Sequence, residues 1–272
     1  MERLILIETS TALCSAALAE DGVITAYRES SAPKAHASLT AVFIQEMLEE
    51  KGLTIADCDA VCVSKGPGSY TGLRVGVSTA KGLCFGSGKP LIAIGTLDIL
   101  TAQAQEASSE TGIADPSETV IADTSETVIA DTSKTVIAGL TGNPSHIVPM
   151  IDARRMEVYA ATFKRTDAPT NHSEATPRYT QVTETAPAII DENSFAEYLE
   201  QGSCLFIGDG AGKCADVIKH PNATFIQCWP KASAMLQPAL RAYRERRFED
   251  VAYFEPFYLK EFVATVSKKK LF

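Results

Sequence analysis

Short apolar runs, separated by turn-forming residues, set the pattern of the first hundred residues. Aliphatic and β-branched side chains dominate each run, and Glu20-Asp-Gly22 between the second and third runs is a hairpin signal. This alternation of strand-like runs with turns predicts a sheet that begins as a β-meander. The predicted strands cover residues 3–7, 15–19, 23–27, 59–64 and 91–94.

Segments with helical periodicity alternate with these strands. In residues 34–51 the side chains of Leu39, Val42, Phe43 and Met47 form one apolar stripe, while Ile44 and Leu48 fall to its side. The apolar arc is therefore wider than a helix lying on one sheet needs, and a second packing partner would explain the extra width. Other helices are predicted over residues 97–107, 194–201 and 235–246.

The stretch 64–88 combines a breaker cluster with a helix N-terminus. Residues 65–70 contain two glycines and one proline, and Ser69 or Thr71 can cap a helix that runs to about Phe85. A strand, a glycine-rich turn and a helix N-terminus in succession form a candidate anion cradle, because free amides and the helix dipole point at one spot.

The glycine content of this helix is unusual. Gly72, Gly76 and Ala80 recur every four residues, and a mid-helix glycine costs about 1 kcal/mol relative to alanine. Because this cost recurs along the helix, the glycines indicate that another segment approaches the helix backbone closely. Two interpretations stand: the chain's own sheet or neighbouring helix, and a helix of another subunit. The second is favoured here, with Gly76 on the partner-facing side.

The opening pattern recurs about 140 residues later. Strand 3–7 ends in Glu8-Thr-Ser-Thr11, and residues 146–152 again form an apolar run that ends in an acid, followed by a second strand to about Phe163. We therefore predict two duplicated α/β domains, with boundaries at 1–107 and 108–272.

The predicted C-terminal domain contains three further features. Residues 113–136 hold three near-identical eight-residue copies, interpreted as an insertion, and residues 165–188 are predicted to form a long polar loop. A strand over residues 204–207 leads into Gly208-Asp-Gly-Ala-Gly-Lys213. This glycine-rich segment lacks the four-residue gap of a P-loop, so we favour a strand–helix turn over a nucleotide motif.

Composition and charge exclude several classes of protein. Hydrophobic residues make up 45% of the 272, no apolar run reaches the length of a membrane span, and seven cysteines without a Cys-x-x-Cys pair indicate reduced thiols of a cytoplasmic protein. A net charge of −9 argues against strong nucleic-acid binding by the chain alone. The four histidines have no spacing suited to a shared metal, so we predict no metal site.

Five segments together resemble the TsaB (YeaZ) family. They are Ile5-Leu-Ile-Glu-Thr-Ser10, Ser64-Lys-Gly-Pro-Gly-Ser-Tyr-Thr-Gly-Leu-Arg-Val-Gly76, Asp152-Ala-Arg-Arg-Met-Glu-Val-Tyr159, Gly208-Asp-Gly210 and Pro256-Phe-Tyr-Leu-Lys260. The block from Gly66 to Arg74 is the most specific of these. The eight-residue repeat and the predicted polar loop depart from the family pattern.

The resemblance implies an α/β fold of the actin-like (ASKHA) type and a non-catalytic subunit without a cofactor. In the family this subunit serves threonylcarbamoyladenosine formation beside the anticodon of tRNAs that read codons beginning with A. The implied partners are a TsaD-like catalytic paralogue and a TsaE-like ATPase, with a homodimer as an alternative and tRNA reached only through the complex. The paralogue carries a His-x-x-x-His metal pair, of which only His36 is matched here.

Two groups of site residues follow from these patterns and the resemblance, and no catalytic residue is assigned. The predicted partner interface comprises Leu39, Phe43, Ile44, Met47, Leu48, Tyr70, Leu73, Gly76, Val77 and Ala80. The predicted vestigial nucleotide or anion site comprises Glu8, Thr9, Ser10, Gly66, Gly68, Ser69, Asp152, Arg154, Gly208 and Gly210.

Two alternative functions stay open at the level of sequence. A catalytically active ASKHA-type ATP-dependent transferase or kinase would need nucleotide and metal bound to this chain alone. A peptidase would need a nucleophile or a metal pair, and neither is apparent in the sequence.

Overall fold

Two sheets with matching topology organise the chain. A computed structural model describes residues 1–109, 143–166 and 178–260. In the first sheet β1 pairs with its two neighbours in opposite senses, antiparallel to β2 and parallel to β4. Its strands are β1 (Arg3–Glu8), β2 (Cys14–Glu20), β3 (Val23–Ser30), β4 (Ala60–Gly66) and β5 (Leu91–Gly95), in the spatial order β3-β2-β1-β4-β5.

The second sheet repeats this arrangement and confirms the predicted duplication. Its strands are β6 (His146–Asp152), β7 (Glu157–Ala160), β8 (Phe163–Thr166), β9 (Arg178–Gln181), β10 (Ala186–Ile189), β11 (Cys204–Gly208) and β12 (Ala223–Gln227). The order is β10-β7-β6-β11-β12, with β8 and β9 off this path. Strand β6 is antiparallel to β7 and parallel to β11, as β1 is to β2 and β4.

The predicted long loop over residues 165–188 needs correction, because β9 and β10 lie within it. Most side chains of these two strands are exposed on both faces. They therefore lack the alternation of apolar and polar residues by which a half-buried strand is recognised in a sequence.

In the described residues, six helices connect or cover the strands. The cap of α2 is settled in favour of Ser69, whose Oγ accepts a hydrogen bond from the amide of Gly72 at 3.3 Å. The helices are α1 (Ala35–Glu50), α2 (Tyr70–Ser87), α3 (Thr96–Ser109), α4 (Ala196–Gln201), α5 (Ala211–Ala215) and α6 (Leu236–Arg244), with 3₁₀ turns over Ile55–Asp57 and Ala232–Met235.

Both faces of the first sheet are buried. Ile5 and Ile7 point to the face covered by α1 and α2, whereas Leu4 and Leu6 point to the face covered by α6 and the 3₁₀ turn before it. This explains the continuous apolar run of β1, which is typical of a strand covered on both sides. Residues 232–242, predicted as part of the C-terminal domain, thus pack on the first sheet. The boundary at 107/108 stays a prediction.

The wide apolar arc of α1 is covered by other parts of the same chain. Ile44 and Leu48 are buried in the same cluster as Val77, Ala80 and Cys84 of α2, and the two helices are in contact. The second packing partner expected from the sequence is therefore α2 itself, which lies beside α1 on the sheet.

The glycines of α2 serve the chain's own packing at the helix start. A Cβ on Gly72 would lie 2.1 Å from the carbonyl oxygen of Thr9, and one on Gly76 would lie 2.2 Å from Thr9 Oγ1. The interpretation that placed Gly76 on a partner-facing side is therefore corrected. By contrast, a Cβ on Gly82 or Gly86 would meet nothing within 4 Å.

The eight-residue repeat over residues 113–136 lies outside the described residues. Within the described ranges, none of the helices is both long and apolar enough to cross a bilayer.

Gly72 faces the sheet and Gly82 faces outward. We therefore expect replacement by alanine at the two positions to have opposite effects on the free energy of unfolding. Gly72→Ala should lower the free energy of unfolding by about 1–3 kcal/mol, because the new methyl group meets a backbone carbonyl that is held in place by the β1–β2 turn. Gly82→Ala, the matched control, should raise it by up to about 1 kcal/mol through helix propensity alone. Urea unfolding followed by circular dichroism measures both, and equal effects of the two substitutions would contradict the packing described here.

Candidate functional site

The turn after β1 carries the predicted polar residues in a fully buried position. Glu8, Thr9 and Ser10 are each 0% exposed. Glu8 Oε1 accepts a hydrogen bond from the amide of Ser10 at 2.6 Å, and the amide of Thr9 lies 3.4 Å from Ser64 Oγ. These contacts fold the acid back onto its own turn, so its carboxylate faces protein rather than solvent.

The turn between β4 and α2 closes directly onto this first turn. The amide of Ser69 donates to the carbonyl oxygen of Ser10 at 2.6 Å, and a Cβ on Gly68 would lie 2.3 Å from that same oxygen. Gly66 has φ +109°, and the carbonyl oxygen of Phe257 would lie 2.6 Å from a Cβ there. These glycines are therefore required because other backbone segments occupy the space beside them.

Three amides at the start of α2, where the sequence predicted an anion cradle, have partners within the chain. The amide of Ser69 donates a hydrogen bond to the carbonyl oxygen of Ser10, and the amide of Gly72 donates one to Ser69 Oγ. The amide of Leu73 donates to the carbonyl oxygen of Ser69. The structure brings Glu8, Thr9, Ser10, Gly66, Gly68 and Ser69 close together. Their contacts form an interlock between two turns, which we call the turn interlock.

Burial changes the acid–base behaviour of the turn interlock. Removal from water raises the pKa of Glu8 to about 7, an effect that hydrogen bonds from Ser10 and Ser64 only partly oppose. A carboxyl group with this pKa is largely protonated below neutral pH, and ionising it in place costs free energy.

In the second sheet, the side chain of Lys213 holds the equivalent turn together through an ion pair and hydrogen bonds. Lys213 Nζ lies 2.5 Å from Asp152 Oδ1 and also donates to the carbonyl oxygens of Arg155 and Glu157, at 2.8 and 2.7 Å. The backbone amide of Arg154 donates to Asp152 Oδ1 at 2.8 Å. Asp152 thus forms an internal ion pair, and its cationic partner is Lys213.

The glycines of the second turn are packed as tightly as those of the first. A Cβ on Gly208 would lie 2.1 Å from the carbonyl oxygen of Met150, to which the amide of Gly210 donates at 3.1 Å. Between them, Asp209 accepts a hydrogen bond from the amide of Asp152 at 2.8 Å, and burial raises the pKa of Asp209 to about 6. This geometry agrees with the strand–helix turn favoured from the sequence, since α5 begins directly after Gly210.

Residues 249–260, here called the C-terminal strap, link the two turns across α2. The amide of Glu249 donates to the carbonyl oxygen of Leu91, and the amide of Phe257 donates to that of Lys65 at 2.7 Å. At its end Lys260 forms an ion pair with Glu157 beside the second turn. No pattern in the sequence predicts that this segment contacts both sheets.

The strap also reaches the exposed side of α2. Tyr258 packs on Tyr70 with ring centroids 5.0 Å apart, and the guanidinium of Arg74 lies 4.3 Å from the centre of the Tyr70 ring. Lys81 Nζ donates to two strap carbonyl oxygens, those of Ala252 and Phe254. Between helix and strap lies an open pocket of about 360 Å³, here called the strap pocket.

Most of the predicted partner-interface residues face inward. Phe43, Ile44, Met47, Leu48, Leu73, Gly76, Val77 and Ala80 are buried, and Leu39 and Tyr70 are half-buried. The physical reason is that the apolar side of each helix covers the sheet beneath it. The outward side of the two helices, here called the outer face, carries small residues and charged residues, with two exposed apolar side chains, Val42 and Phe85. Its members include Ala37, Ala41, Val42, Ser78, Gly82 and Phe85.

Metal-type ligands do not converge in the part of the chain described here, where no group of three or more His, Cys, Asp or Glu side chains could hold an ion. His36, the one match to the paralogue's metal pair, has its Nε2 2.8 Å from the carbonyl oxygen of Thr11. The seven cysteines are free thiols, and six of them are buried.

The raised pKa of Glu8 predicts a pH-dependent contribution to stability. Because the folded-state pKa of about 7 lies above the ordinary value of 4.5, this contribution is fully present below pH 4.5 and is lost as pH rises through 7. Glu8→Gln should therefore gain stability relative to the wild type between pH 4.5 and pH 8, by on the order of 3 kcal/mol. Urea unfolding of both proteins at a series of pH values measures the difference between their free energies of unfolding. Other titrating groups, such as Asp209, contribute equally to both proteins and cancel from this difference. Parallel profiles for the two proteins would contradict the burial of an ionisable Glu8, and Glu49→Gln on the exposed side of α1 is the matched control.

Comparison with known proteins gives matches of three kinds. The family model described as TsaD, tRNA N6-adenosine threonylcarbamoyltransferase, matches residues 29–136. The tRNA threonylcarbamoyladenosine biosynthesis protein TsaB of Escherichia coli (strain K12) is 27% identical over 270 residues, which cover 96% of each chain. The protein of the same name from Haemophilus influenzae is 41% identical over 104 residues, covering 38% of this chain and 42% of its own.

A crystal structure from Pseudomonas aeruginosa, described as an uncharacterized protein with similarity to the peptidase YeaZ, superposes with a TM-score of 0.70. It is 22% identical, and the match covers 96% of this chain and 100% of the other. That likeness establishes the fold, two actin-like α/β units with duplicated sheets. Taken with the near full-length relative and the block from Gly66 to Arg74, it shows that the chain is similar to the TsaB (YeaZ) proteins along almost its whole length and shares their fold.

Proposed function

We propose that this chain is a non-catalytic subunit in the formation of threonylcarbamoyladenosine in tRNA, and that it acts by docking with a catalytic paralogue of the TsaD type. The names of its relatives support the pathway. The match of residues 29–136 to the TsaD family model supports descent from a common ancestor with such a partner. A TsaE-like ATPase is the proposed third component, in the cytoplasm.

The turn interlock is the observation that carries the non-catalytic role. A nucleotide phosphate placed at the first turn would need the free amides of the β4–α2 turn and access to the polar residues after β1. Here Ser69 donates its amide to Ser10, and Glu8, Thr9 and Ser10 are fully buried. The chain's own backbone thus fills the space between the two turns.

The outer face of α1 and α2 is the proposed docking surface for the paralogue. It belongs to the proposed N-terminal domain, residues 1–107, and includes the exposed apolar side chain of Val42, which is 41% exposed. Small neighbours such as Ala37 and Ala41 let a partner helix approach closely. The inward residues Gly76, Val77 and Leu48 support this surface from beneath instead of contacting the partner.

tRNA is proposed to reach the complex through the partner. With a net charge of −9, this chain repels phosphates, and the phosphate backbone dominates nucleic-acid affinity. The contribution of the chain is therefore to hold or activate the catalytic subunit, not to provide the tRNA surface.

Reconstitution tests the role directly. With tRNA, ATP and a supply of threonylcarbamoyl adenylate, this chain alone should give no modified adenosine, and adding it to the paralogue and ATPase should raise the yield. Modification by this chain without the paralogue would overturn the non-catalytic role. Equal yields from the paralogue and ATPase with and without the chain would overturn the accessory role.

Substitution on the outer face tests the docking surface. Val42→Glu should weaken binding to the paralogue by about tenfold or more, because a charge would be desolvated at the contact, while circular dichroism and unfolding stay near wild type. The matched control is Ile189→Glu, since Ile189 is 78% exposed on the second sheet. Isothermal titration calorimetry with the purified paralogue measures both, and unchanged affinity of a folded Val42→Glu variant would place the surface elsewhere.

A further inference from the structure

Arg74 lies on the exposed side of α2 and is held in place by two aromatic side chains. Its guanidinium lies 4.3 Å from the centre of the Tyr70 ring and hydrogen-bonds to the side chain of Tyr258. The two tyrosine rings pack on each other with centroids 5.0 Å apart. A guanidinium fixed in this way has less conformational freedom left to lose on binding, so Arg74 is pre-organised to meet a ligand from solvent.

Within the described ranges, no Asp or Glu side chain forms an ion pair with Arg74. Glu255 acts on its guanidinium only through space. Other arginines of the chain are paired, such as Arg28 with Glu50. The fork of N–H donors on a guanidinium matches a carboxylate. Because the Arg74 side chain is exposed, donors other than the one that meets Tyr258 are accessible to such a group.

The strap pocket lies beside this guanidinium, and Arg74 is part of its lining. Its volume of about 360 Å³ is enough for one large apolar side chain. Lys81 also lines the pocket, but its ammonium donates to two strap carbonyl oxygens and so holds the strap in place. The apolar part of the lining comes from Val77, Phe254, Pro256 and the ring of Tyr258. The pocket thus combines an available guanidinium with apolar walls.

We propose that the strap pocket binds a segment of another protein in which an acidic residue neighbours a large apolar one. The carboxylate pairs with Arg74, and the apolar side chain enters the pocket between α2 and the strap. Charge complementarity supports this occupant, because Arg74 is a cation without an acidic partner on a chain whose net charge is −9. The apolar walls favour a side-chain pair over a lone anion. This inference goes beyond the proposed function and does not depend on it.

Titration of the ¹⁵N-labelled full chain with two matched peptides, followed by NMR, tests the site. The probes are acetyl-Phe-Glu-amide and acetyl-Phe-Gln-amide, which differ only in the charge of one side chain. The acidic peptide should bind with a dissociation constant of about 1 mM, about fivefold tighter than the neutral one, and should shift the amides of Val77 and Ser78. Added salt should narrow the difference, because it screens exposed charges.

Three variants separate the charge contact from the pocket. Arg74→Gln should remove the preference for the acidic peptide, leaving both peptides with the weaker affinity. Arg241→Gln, which removes another exposed arginine from a helix, is the matched control and should keep the preference. Ser78→Trp should abolish binding of both peptides by filling the pocket. All three positions are exposed, so circular dichroism should show folded proteins.

Several results would overturn the proposal. They are equal affinities of the wild type for the two peptides, a folded Arg74→Gln variant that keeps the preference, and amide shifts that lie away from the pocket. Failure of the wild type to bind either peptide would mean that the pocket is closed or covered, and would overturn it as well. So would displacement of the acidic peptide by an equal concentration of acetate, since the site would then take any small carboxylate. None of these results bears on binding to the paralogue, which is measured separately.

Discussion

The close approach of the β1–β2 turn to the β4–α2 turn is the contact on which the first half of the molecule depends. The carbonyl oxygen of Thr9 occupies the place of a side chain on Gly72, and that of Ser10 occupies the place of one on Gly68. Such packing draws the start of α2 down onto the sheet. It accounts for glycines that would otherwise weaken a helix, because any larger residue would separate the two turns.

The same contact links fold to function. The turn after β1 and the turn before α2 face each other across a common space. Here backbone atoms fill that space, and Glu8 is buried at its floor with a pKa raised to about 7. The outward side of α1 and α2 is left open by the same packing. These features support the proposal that the chain docks with other proteins rather than binding a nucleotide.

Much of the fold could be predicted from the sequence, because strong local signals agree with the tertiary packing. The strands of the first sheet, the Ser69 cap and the duplicated strand–acid–turn pattern are all present. The direction of the α2 glycines could not be predicted. Small residues occur both on the sheet side, at Gly76, and on the outer side, at Gly82, and periodicity alone does not tell which side meets the sheet. The C-terminal strap could not be predicted either, since its contacts with the two sheets and with α2 join residues more than 100 positions apart.

Calorimetric titration of the isolated chain with Mg²⁺–ATP tests the central claim most directly. If the turn interlock fills the first-turn space, the titration should give no saturable heat and the thermal midpoint should not shift with nucleotide. The catalytic paralogue, titrated in parallel, provides the positive control. Saturable one-to-one binding by this chain, weakened by a substitution such as Ser10→Ala, would show that the interlock opens to admit a nucleotide and would contradict the account.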